Sequence, residues 1–190
     1  MVSGKIDCDL LTDKEIISKS LEDINYFRCL FERYENRLKI YIHRISGFDD
    51  YMSEDILQNA FIKIWRNLNN YDNTIPVSSF IYNIVHNETI SVWRHQEVQK
   101  KLKQNAGKQE DIYENENNNN TISSQKILET LNSLPEKYRE ILILKYYENM
   151  DYEEISNILK IPEGTVAARI NRAKSHFAKI SDKTDFFNNI

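Results

Sequence analysis

Apolar side chains recur at steps of three and four residues in two long parts of the chain, 12–95 and 123–181. This period is typical of amphipathic helices, so both parts are predicted to be helical. In the first part the pattern predicts a short helix that begins at a capping box of Thr12 and Glu15. Three further helices are expected at about 22–45, ended by Gly47, at about 54–69, capped by Ser53, and at about 79–98.

The second part is predicted to form four short helices, at about 124–131, 136–147, 152–160 and 165–180. Asp151 and Glu154 form a second capping box, and the segment from Ile161 to Gly164 is expected to break the chain before the last helix. In that last helix one stripe is expected to be buried: Val166, Ile170, Ala173, Phe177 and Ile180.

Between the two parts lies a stretch with few apolar residues, Gln96–Thr121, which begins basic and ends in four asparagines. Such a composition buries too little surface to offset the entropy of ordering. The chain is therefore predicted to be all-α, with two small helical domains, 12–95 and 123–181, joined by a flexible linker, 96–122. A surface loop within one domain is the alternative.

Composition narrows the function. The formal net charge is −4, so any contact with nucleic acid needs a local basic face. Cys8 and Cys29 stand far apart and are not expected to form a disulfide framework, which favours a reducing compartment. No signal peptide, membrane span, metal-ligand spacing, phosphate loop or hydrolase motif is evident, so neither an enzyme nor a cofactor is expected.

The last two predicted helices have the length and tight turn of a helix-turn-helix unit. Within residues 165–180 all charged side chains are basic, whereas within residues 151–163 most charged side chains are acidic. A positive face of this kind suits a recognition helix in the major groove, although an ordinary solvated face is the alternative. The candidate DNA contacts are Thr165, Ala168, Arg169, Asn171, Arg172, Lys174, Ser175 and Lys179.

Residues 134–177 resemble the −35-reading domain of bacterial RNA polymerase sigma factors. Leu134-Pro135, Gly164-Thr165-Val166 and Arg169-Ile170 carry the resemblance, which would also suit a response-regulator output domain. The first part is similar to sigma region 2, most specifically in the spacing D-x-x-Q-x-x-F-x-x-x-W of residues 55–65. With both ends matched, the chain resembles the extracytoplasmic-function (ECF) group of sigma factors.

The resemblance implies a role for each surface. Asp55, Gln58, Asn59 and Trp65 would contact the β′ subunit of core RNA polymerase, and the 134–148 segment would meet the β subunit. The exposed face of the 79–98 helix would bind the melted −10 strand, with loop 70–78 holding a flipped base. The residues of that face are Tyr82, Asn83, His86, Asn87, Trp93 and Arg94. The residues alone leave open that Trp65, Tyr82 and Trp93 are packing side chains.

The function implied is a cytoplasmic sigma factor that directs core polymerase to promoter DNA and is held by an anti-sigma partner, with no membrane insertion. The alternative is a stand-alone helix-turn-helix regulator that binds a palindrome without polymerase.

Overall fold

In the computed structural model, residues 6–105 and 122–180 are described, and within them the chain is helical. These residues form eight α-helices: α1 Asp13–Glu22, α2 Phe27–Ser46, α3 Asp50–Asn67, α4 Val77–Asn105, α5 Ile122–Ser133, α6 Glu136–Leu142, α7 Tyr152–Leu159 and α8 Glu163–Ile180. Single 3₁₀ turns lie at Cys8–Leu10, Ile24–Tyr26 and Leu68–Asn70, and α6 continues into a wider π-type turn, Ile143–Tyr147. The prediction of an all-α fold is confirmed for these residues.

The two predicted capping boxes and the predicted end of α2 are confirmed. Thr12 and Glu15 form the expected reciprocal pair at the start of α1, since Thr12 Oγ1 accepts from the Glu15 N–H and Glu15 accepts from the Thr12 N–H. Asp151 and Glu154 do the same for α7. Gly47 ends α2 at φ 73°, a left-handed conformation that favours glycine.

Two boundary predictions and one burial prediction were wrong. Ser53 is buried inside α3, and the helix is instead capped by Asp49, whose carboxylate accepts from the Met52 N–H at 2.8 Å. The turn before α8 is made by Lys160 at φ 53°, whereas Gly164 lies inside the helix. Ile180 is 51% exposed and does not extend the buried stripe of α8.

Helix α4 also runs further than predicted. It continues to Asn105, so residues 96–105 of the expected linker are helical. These residues are mostly good helix formers, and an ion pair between Lys100 and Glu97 (3.6 Å) supports the turn. The expected linker residues 106–121 and the tail 181–190 lie outside the described residues.

The core is continuous through both halves of the chain. In the N-terminal half α2, α3 and α4 pack on one another and α1 lies on α2, while in the C-terminal half α6 and α7 pack on α8. Helix α4 also packs directly on α7, and α2 meets α5 and the π-type turn. The two halves therefore share an interface along one side of α4.

Cys8 and Cys29 are bonded to each other, contrary to the prediction from the sequence. Their Cα atoms lie 5.2 Å apart because the N-terminal turn folds back on α2. Arg33 holds it there by donating to the carbonyl oxygens of Cys8 (2.7 Å) and Leu11 (2.9 Å). Cysteine spacing alone does not reveal such a pair, since the pairing depends on how the turn packs.

We expect the disulfide to stabilise the folded chain. The bond joins residues separated by 21 positions, and closing a loop of this size in the unfolded state contributes about 3 kcal/mol. A thiol reductant should lower the midpoint of urea unfolding, followed by circular dichroism. Cys8→Ser should unfold at the same midpoint with and without reductant. An unchanged midpoint in the reduced parent protein would contradict the expectation.

Candidate nucleic-acid and protein interfaces

Helix α8 presents most of its predicted DNA contacts to solvent. Its buried side is the stripe Val166, Ile170, Ala173 and Phe177, which packs on the rest of the C-terminal half. The opposite side is therefore free, and its exposed members are Thr165, Ala168, Asn171, Arg172, Ser175 and Lys179. Arg172 and Lys179 are the exposed cations of this set, which gives the outward face a positive sign.

Two of the predicted contacts on α8 are partly engaged within the C-terminal half. Arg169 is half-buried and donates to Oε1 of Glu140 at 3.0 Å. Lys174 is half-buried, with its ammonium 5.1 Å from the centre of the Tyr146 ring. These two residues help to hold α8 in place, which leaves Arg172 as the arginine on the outward face.

Helix α3 places its predicted polar residues on one exposed face. Asp55, Gln58 and Asn59 are exposed, and Asn59 donates to Asp55 at 3.3 Å. Trp65 is half-buried against the ring of Phe27, at 5.2 Å between centroids, so it has a packing role as well.

Two apolar residues also belong to the exposed α3 face, although they were not predicted from the sequence. Tyr51 is 82% exposed and Ile62 is 49% exposed, four residues before Asp55 and four after Gln58. Their positions could have been predicted, since both lie on the same stripe of the helix as Asp55 and Gln58. An exposed aromatic and an aliphatic side chain among polar groups are typical of a protein–protein contact.

The predicted exposed face of α4 is mostly buried, which corrects the sequence analysis. Tyr82 and Thr89 are 0% exposed and His86 is 6% exposed. Trp93 and Asn83 are half-buried, whereas Asn87 and Arg94 are exposed. An amphipathic pattern assigns the less apolar side of a helix to solvent, but here that side is covered by Tyr41 of α2 and by the C-terminal half.

Glu148 lies at the centre of this covered interface. Its side chain is 4% exposed and accepts a hydrogen bond from the Tyr82 hydroxyl at 2.5 Å. Two arginines of α2 also face it, Arg44 at 3.5 Å and Arg37 at 3.9 Å. A buried carboxylate is tolerated only with such partners, so this group ties α2 and α4 to the C-terminal half.

Glu140 and His86 meet at a second buried point. His86 Nδ1 lies 2.9 Å from the Tyr41 hydroxyl, and Nε2 lies 3.5 Å from Glu140. Burial lowers the pKa of His86 to about 4 and raises the pKa of Glu140 to about 7, although Arg169 acts against the latter. Because His86 is neutral at pH 7, the contact is not an ion pair.

The two pKa shifts have opposite effects on the stability of the interface between the two halves. Acidification from pH 7 reduces the cost of burying Glu140, because its carboxyl is then protonated. The same acidification adds the cost of burying His86, because an exposed imidazole would be charged. The stability of the interface is therefore expected to change less with pH in the mildly acidic range than it would with either group alone.

Further contacts extend the interface along α4. The Arg94 guanidinium donates two hydrogen bonds to the Glu136 carboxylate, at 2.7 and 3.3 Å. The Arg139 guanidinium lies 4.9 Å from the centre of the Trp93 ring. Nearer the start of α4, Asn83 donates to the Ile158 carbonyl at 2.5 Å, and Ser78 donates to Glu154 at 3.2 Å.

The residues that form this interface opposite α4 were not predicted from the sequence. Glu136, Glu140 and Glu148, and the arginines of α2, carry no motif. No signal in the sequence pairs Tyr82 with a residue 66 positions away. The acidic surface of the C-terminal half, defined here as Glu136, Glu140 and Glu148, appears only in three dimensions.

Some classes of site find no support among the described residues. Residues 6–105 and 122–180 contain no helix long and apolar enough to cross a membrane. The same residues bring together no set of three or more histidine, cysteine, aspartate or glutamate side chains suited to a metal ion.

Two family models match the chain. The model of sigma-70 region 2 matches residues 30–98, and the model of sigma-70 region 4 matches residues 124–177. The first match includes α3 and most of α4, and the second ends within α8.

Curated relatives match along most of their length. The chain is 30% identical over 187 residues to the ECF RNA polymerase sigma factor SigW of Bacillus subtilis, covering 90% of this chain and 97% of the relative. It is 27% identical over 176 residues to the ECF RNA polymerase sigma-E factor of Escherichia coli K12, covering 86% of this chain and 91% of the relative.

Solved structures share the fold. CnrH, in complex with the cytosolic domain of CnrY, aligns with a TM-score of 0.69 at 19% identity, over 93% of this chain and 98% of that one. The sigma factor RpoE from Bartonella quintana, in complex with the anti-sigma factor NepR, aligns with a TM-score of 0.65 at 19% identity, over 81% and 95%.

The contact between Arg169 and Glu140 predicts a pH-dependent variant. Glu140 has a folded pKa raised to about 7, so its burial becomes costly as the pH rises through that value. Removing the Arg169 cation raises the folded pKa further, so Arg169→Ala should destabilise the protein by about 1–3 kcal/mol more at about pH 8.5 than at about pH 5.5. Urea unfolding at the two pH values measures this difference.

The double variant Arg169→Ala/Glu140→Gln is the control, because it has no carboxyl group to ionise at position 140. Its stability relative to Glu140→Gln should change little with pH. An equal loss of stability at both pH values in Arg169→Ala would show that the arginine does not compensate the Glu140 charge.

Proposed function

The chain belongs to the ECF group of the sigma-70 family, and from that premise we propose how its surfaces share the work of promoter recognition. It is a promoter-recognising sigma factor, and the rival of a stand-alone regulator is not favoured. The observation that carries the proposal is the presence in one chain of an exposed basic face on α8 and an exposed mixed face on α3. A stand-alone regulator needs the first face but has no use for the second.

For the −35 element we propose that α8 enters the major groove through its exposed side. Arg172 is the base-reading side chain, because it is exposed and extends from the middle of that side. Lys179 and Ser175 lie nearer the end of the helix and serve phosphates. Arg169 and Lys174 act mainly by fixing the position of the helix, since both are engaged within the C-terminal half.

For the −10 element we propose that α4 binds the melted strand through Tyr82, Asn83, His86, Asn87, Trp93 and Arg94. Aromatic rings among polar groups suit unpaired, stacked bases. The 70–78 loop holds the flipped base. In support, residues of this loop and of α1 and α2, among them Pro76, Lys14 and Arg37, line an open cleft of about 610 Å³.

For polymerase we propose that the α3 face binds the β′ subunit through Asp55, Gln58, Asn59 and the half-buried Trp65. Exposed Tyr51 and Ile62 would add apolar area to this contact. The 134–148 segment meets the β subunit. The chain contributes no reacting group, and the chemistry of RNA synthesis belongs to the polymerase.

We also propose that the protein acts in the cytoplasm and is held by an anti-sigma factor when it is not in use. In support, the similar RpoE of Bartonella quintana was solved with an anti-sigma factor. We assign promoter and polymerase binding to two domains, residues 12–95 and 123–181. Helix α4 extends beyond the first of them to residue 105.

In vitro transcription with core RNA polymerase tests the α3 assignment. The protein should support promoter-dependent transcripts, and Asp55→Ala/Gln58→Ala should weaken core binding by about tenfold or more, because both side chains are exposed and their loss leaves the fold intact. Asn36→Ala, an exposed change on α2, is the matched control. Wild-type affinity of the double variant would contradict the assignment, and absence of transcription by the parent protein would contradict the function.

The α8 assignment predicts different outcomes for two exposed cations. Arg172→Ala should cost about 1–3 kcal/mol at one base position of the −35 element and relax the preference there. Lys179→Ala should weaken binding to all −35 variants equally and reduce its salt dependence. Transcription by the holoenzyme from promoters with each −35 base varied measures both. A uniform loss in Arg172→Ala would show that Arg172 does not read a base.

A further inference from the structure

The Cys8–Cys29 bond joins the N-terminal turn to α2 at the edge of the N-terminal core. The side chains that α2, α3 and α4 bury, among them Leu38, Ile64 and Ile81, belong to one core without it. The proposed site of action is the cytoplasm, where thiols are kept reduced. Disulfides that form in such a compartment are mostly redox-sensing or catalytic rather than structural. The bond is therefore a candidate for regulation.

The two sulfur atoms differ in how easily a reagent reaches them. Cys29 is 1% exposed, whereas Cys8 is half-buried on a turn between exposed Asp7 and Asp9. A reducing thiolate therefore attacks the Cys8 sulfur, the Cys29 thiolate leaves, and a second thiolate releases Cys8 from the mixed disulfide. In the oxidising direction a low-molecular-weight disulfide takes up two electrons and two protons from the cysteine thiols. That reagent is released as two thiols, and the bond between the cysteines forms.

The turn that carries Cys8 is continuous with the start of α1. Arg33 of α2 donates to the carbonyl oxygens of Cys8 and Leu11 and forms an ion pair with Asp13. The Tyr34 hydroxyl donates to the other carboxylate oxygen of Asp13 at 2.5 Å. Because Asp13 lies five positions after Cys8, the disulfide limits where the first turn of α1 can lie on α2.

The first turn of α1 also lines the cleft next to the loop assigned to the flipped base. Residues 12–14 and residues 76–78 both line this cleft. Lys14 connects the helix to the loop, since its ammonium donates to the Asn73 carbonyl at 2.8 Å. Arg33 and Tyr34, which hold the turn on α2, line the same cleft. A displacement of the turn therefore reaches the loop through Lys14.

We propose that Cys8 and Cys29 are a thiol–disulfide switch of the −10 site, and that the oxidised chain is the form that holds the flipped base more tightly. This inference rests on the proposed role of loop 70–78. In the oxidised chain the bond fixes the turn, so the cleft is arranged before the base arrives and binding requires less ordering. In the reduced chain the turn is held mainly by the surface contacts of Arg33, and such contacts contribute little.

The test measures promoter binding by the holoenzyme in the two redox states. The chain is equilibrated with oxidised or reduced glutathione, its free thiols are counted with a thiol reagent, and small molecules are removed before core RNA polymerase is added. The probe is a fragment of a promoter that the holoenzyme transcribes, with a premelted −10 region. A series of fragments carries an abasic site at each −10 position in turn.

The oxidised holoenzyme should bind the intact fragment about tenfold more tightly than the reduced one. This is the ratio expected if about one-tenth of the reduced chains hold the cleft in its binding arrangement. On the fragment that is abasic at the flipped position, the two redox states should bind equally, because the cleft then has no base to hold.

Two variants separate the switch from other effects of thiol reagents. Cys8→Ser cannot form the bond, so it should bind like the reduced parent after either treatment, which also controls for the cysteines of the polymerase. Lys14→Ala keeps the bond but loses the contact to Asn73, so it should weaken binding by the oxidised chain and reduce the redox difference.

Arg28→Ala is the matched control for Lys14→Ala, since it removes an exposed cation of α2 that pairs with Glu32 outside the cleft. It should keep both the affinity and the redox difference of the parent. Circular dichroism verifies that each variant is helical, and if Cys8→Ser fails to fold, Lys14→Ala decides the test.

The outcomes separate the switch from the proposed function. Equal affinities of the two redox states on the intact fragment would overturn the switch. A loss on reduction that is the same on the intact and on every abasic fragment would also overturn it, because the bond would then support the fold and not the cleft. Both results leave the proposed function standing if one abasic site weakens binding by the oxidised holoenzyme. If no abasic site does so, loop 70–78 holds no base, and its proposed role fails together with the switch.

Discussion

The contact of α4 with the C-terminal half is the interaction on which the arrangement of this protein depends. One side of α4 is built into the N-terminal core through residues such as Ile81 and Val85, both 0% exposed. The neighbouring side meets α7 and the turn that carries Glu148. Since α4 is covered on both sides as far as about Ile90, each half becomes part of the environment of the other.

The chemistry of that contact makes it specific without making it strong. Apolar burial would hold the halves together whatever their register, but a carboxylate surrounded by a tyrosine hydroxyl and two arginines requires one register. Ion pairs of this kind gain little net free energy, because each charge gives up hydration. Arg37 is 59% exposed, and within residues 6–105 and 122–180 two nitrogens of Arg139 have no hydrogen-bond partner, so the interface includes groups that lose little, or gain, on separation. Such a balance suits a contact that is made and broken.

Sequence reasoning succeeded where structure is decided within a few residues. The capping boxes at Thr12 and Asp151, the end of α2 at Gly47 and the buried side of α8 all follow from local hydrogen bonding or helical period. It failed where a distant part of the chain decides. The burial of Tyr82 depends on Glu148, and the Cys8–Cys29 bond depends on how the N-terminal turn packs, and neither dependence leaves a periodic trace.

The side chains on the covered side of α4 explain why that side was predicted to be exposed. Tyrosine, histidine and threonine are polar enough to look like a solvated surface and apolar enough to be buried when their hydroxyl or ring nitrogen finds a partner. A surface for stacked bases needs the same side chains for the same reason. The features that predicted strand binding therefore also permit burial against protein.

The charge distribution of the C-terminal half connects its two surfaces. Residues 165–180 contain no acid and direct Arg172 and Lys179 outward, whereas Glu136, Glu140 and Glu148 face the N-terminal half. Salt screens exposed charges more than buried ones, and the Glu148 carboxylate is buried. Raising the salt concentration is therefore expected to weaken the attraction of the exposed Arg172 and Lys179 for any anion more than it weakens the contacts of buried Glu148.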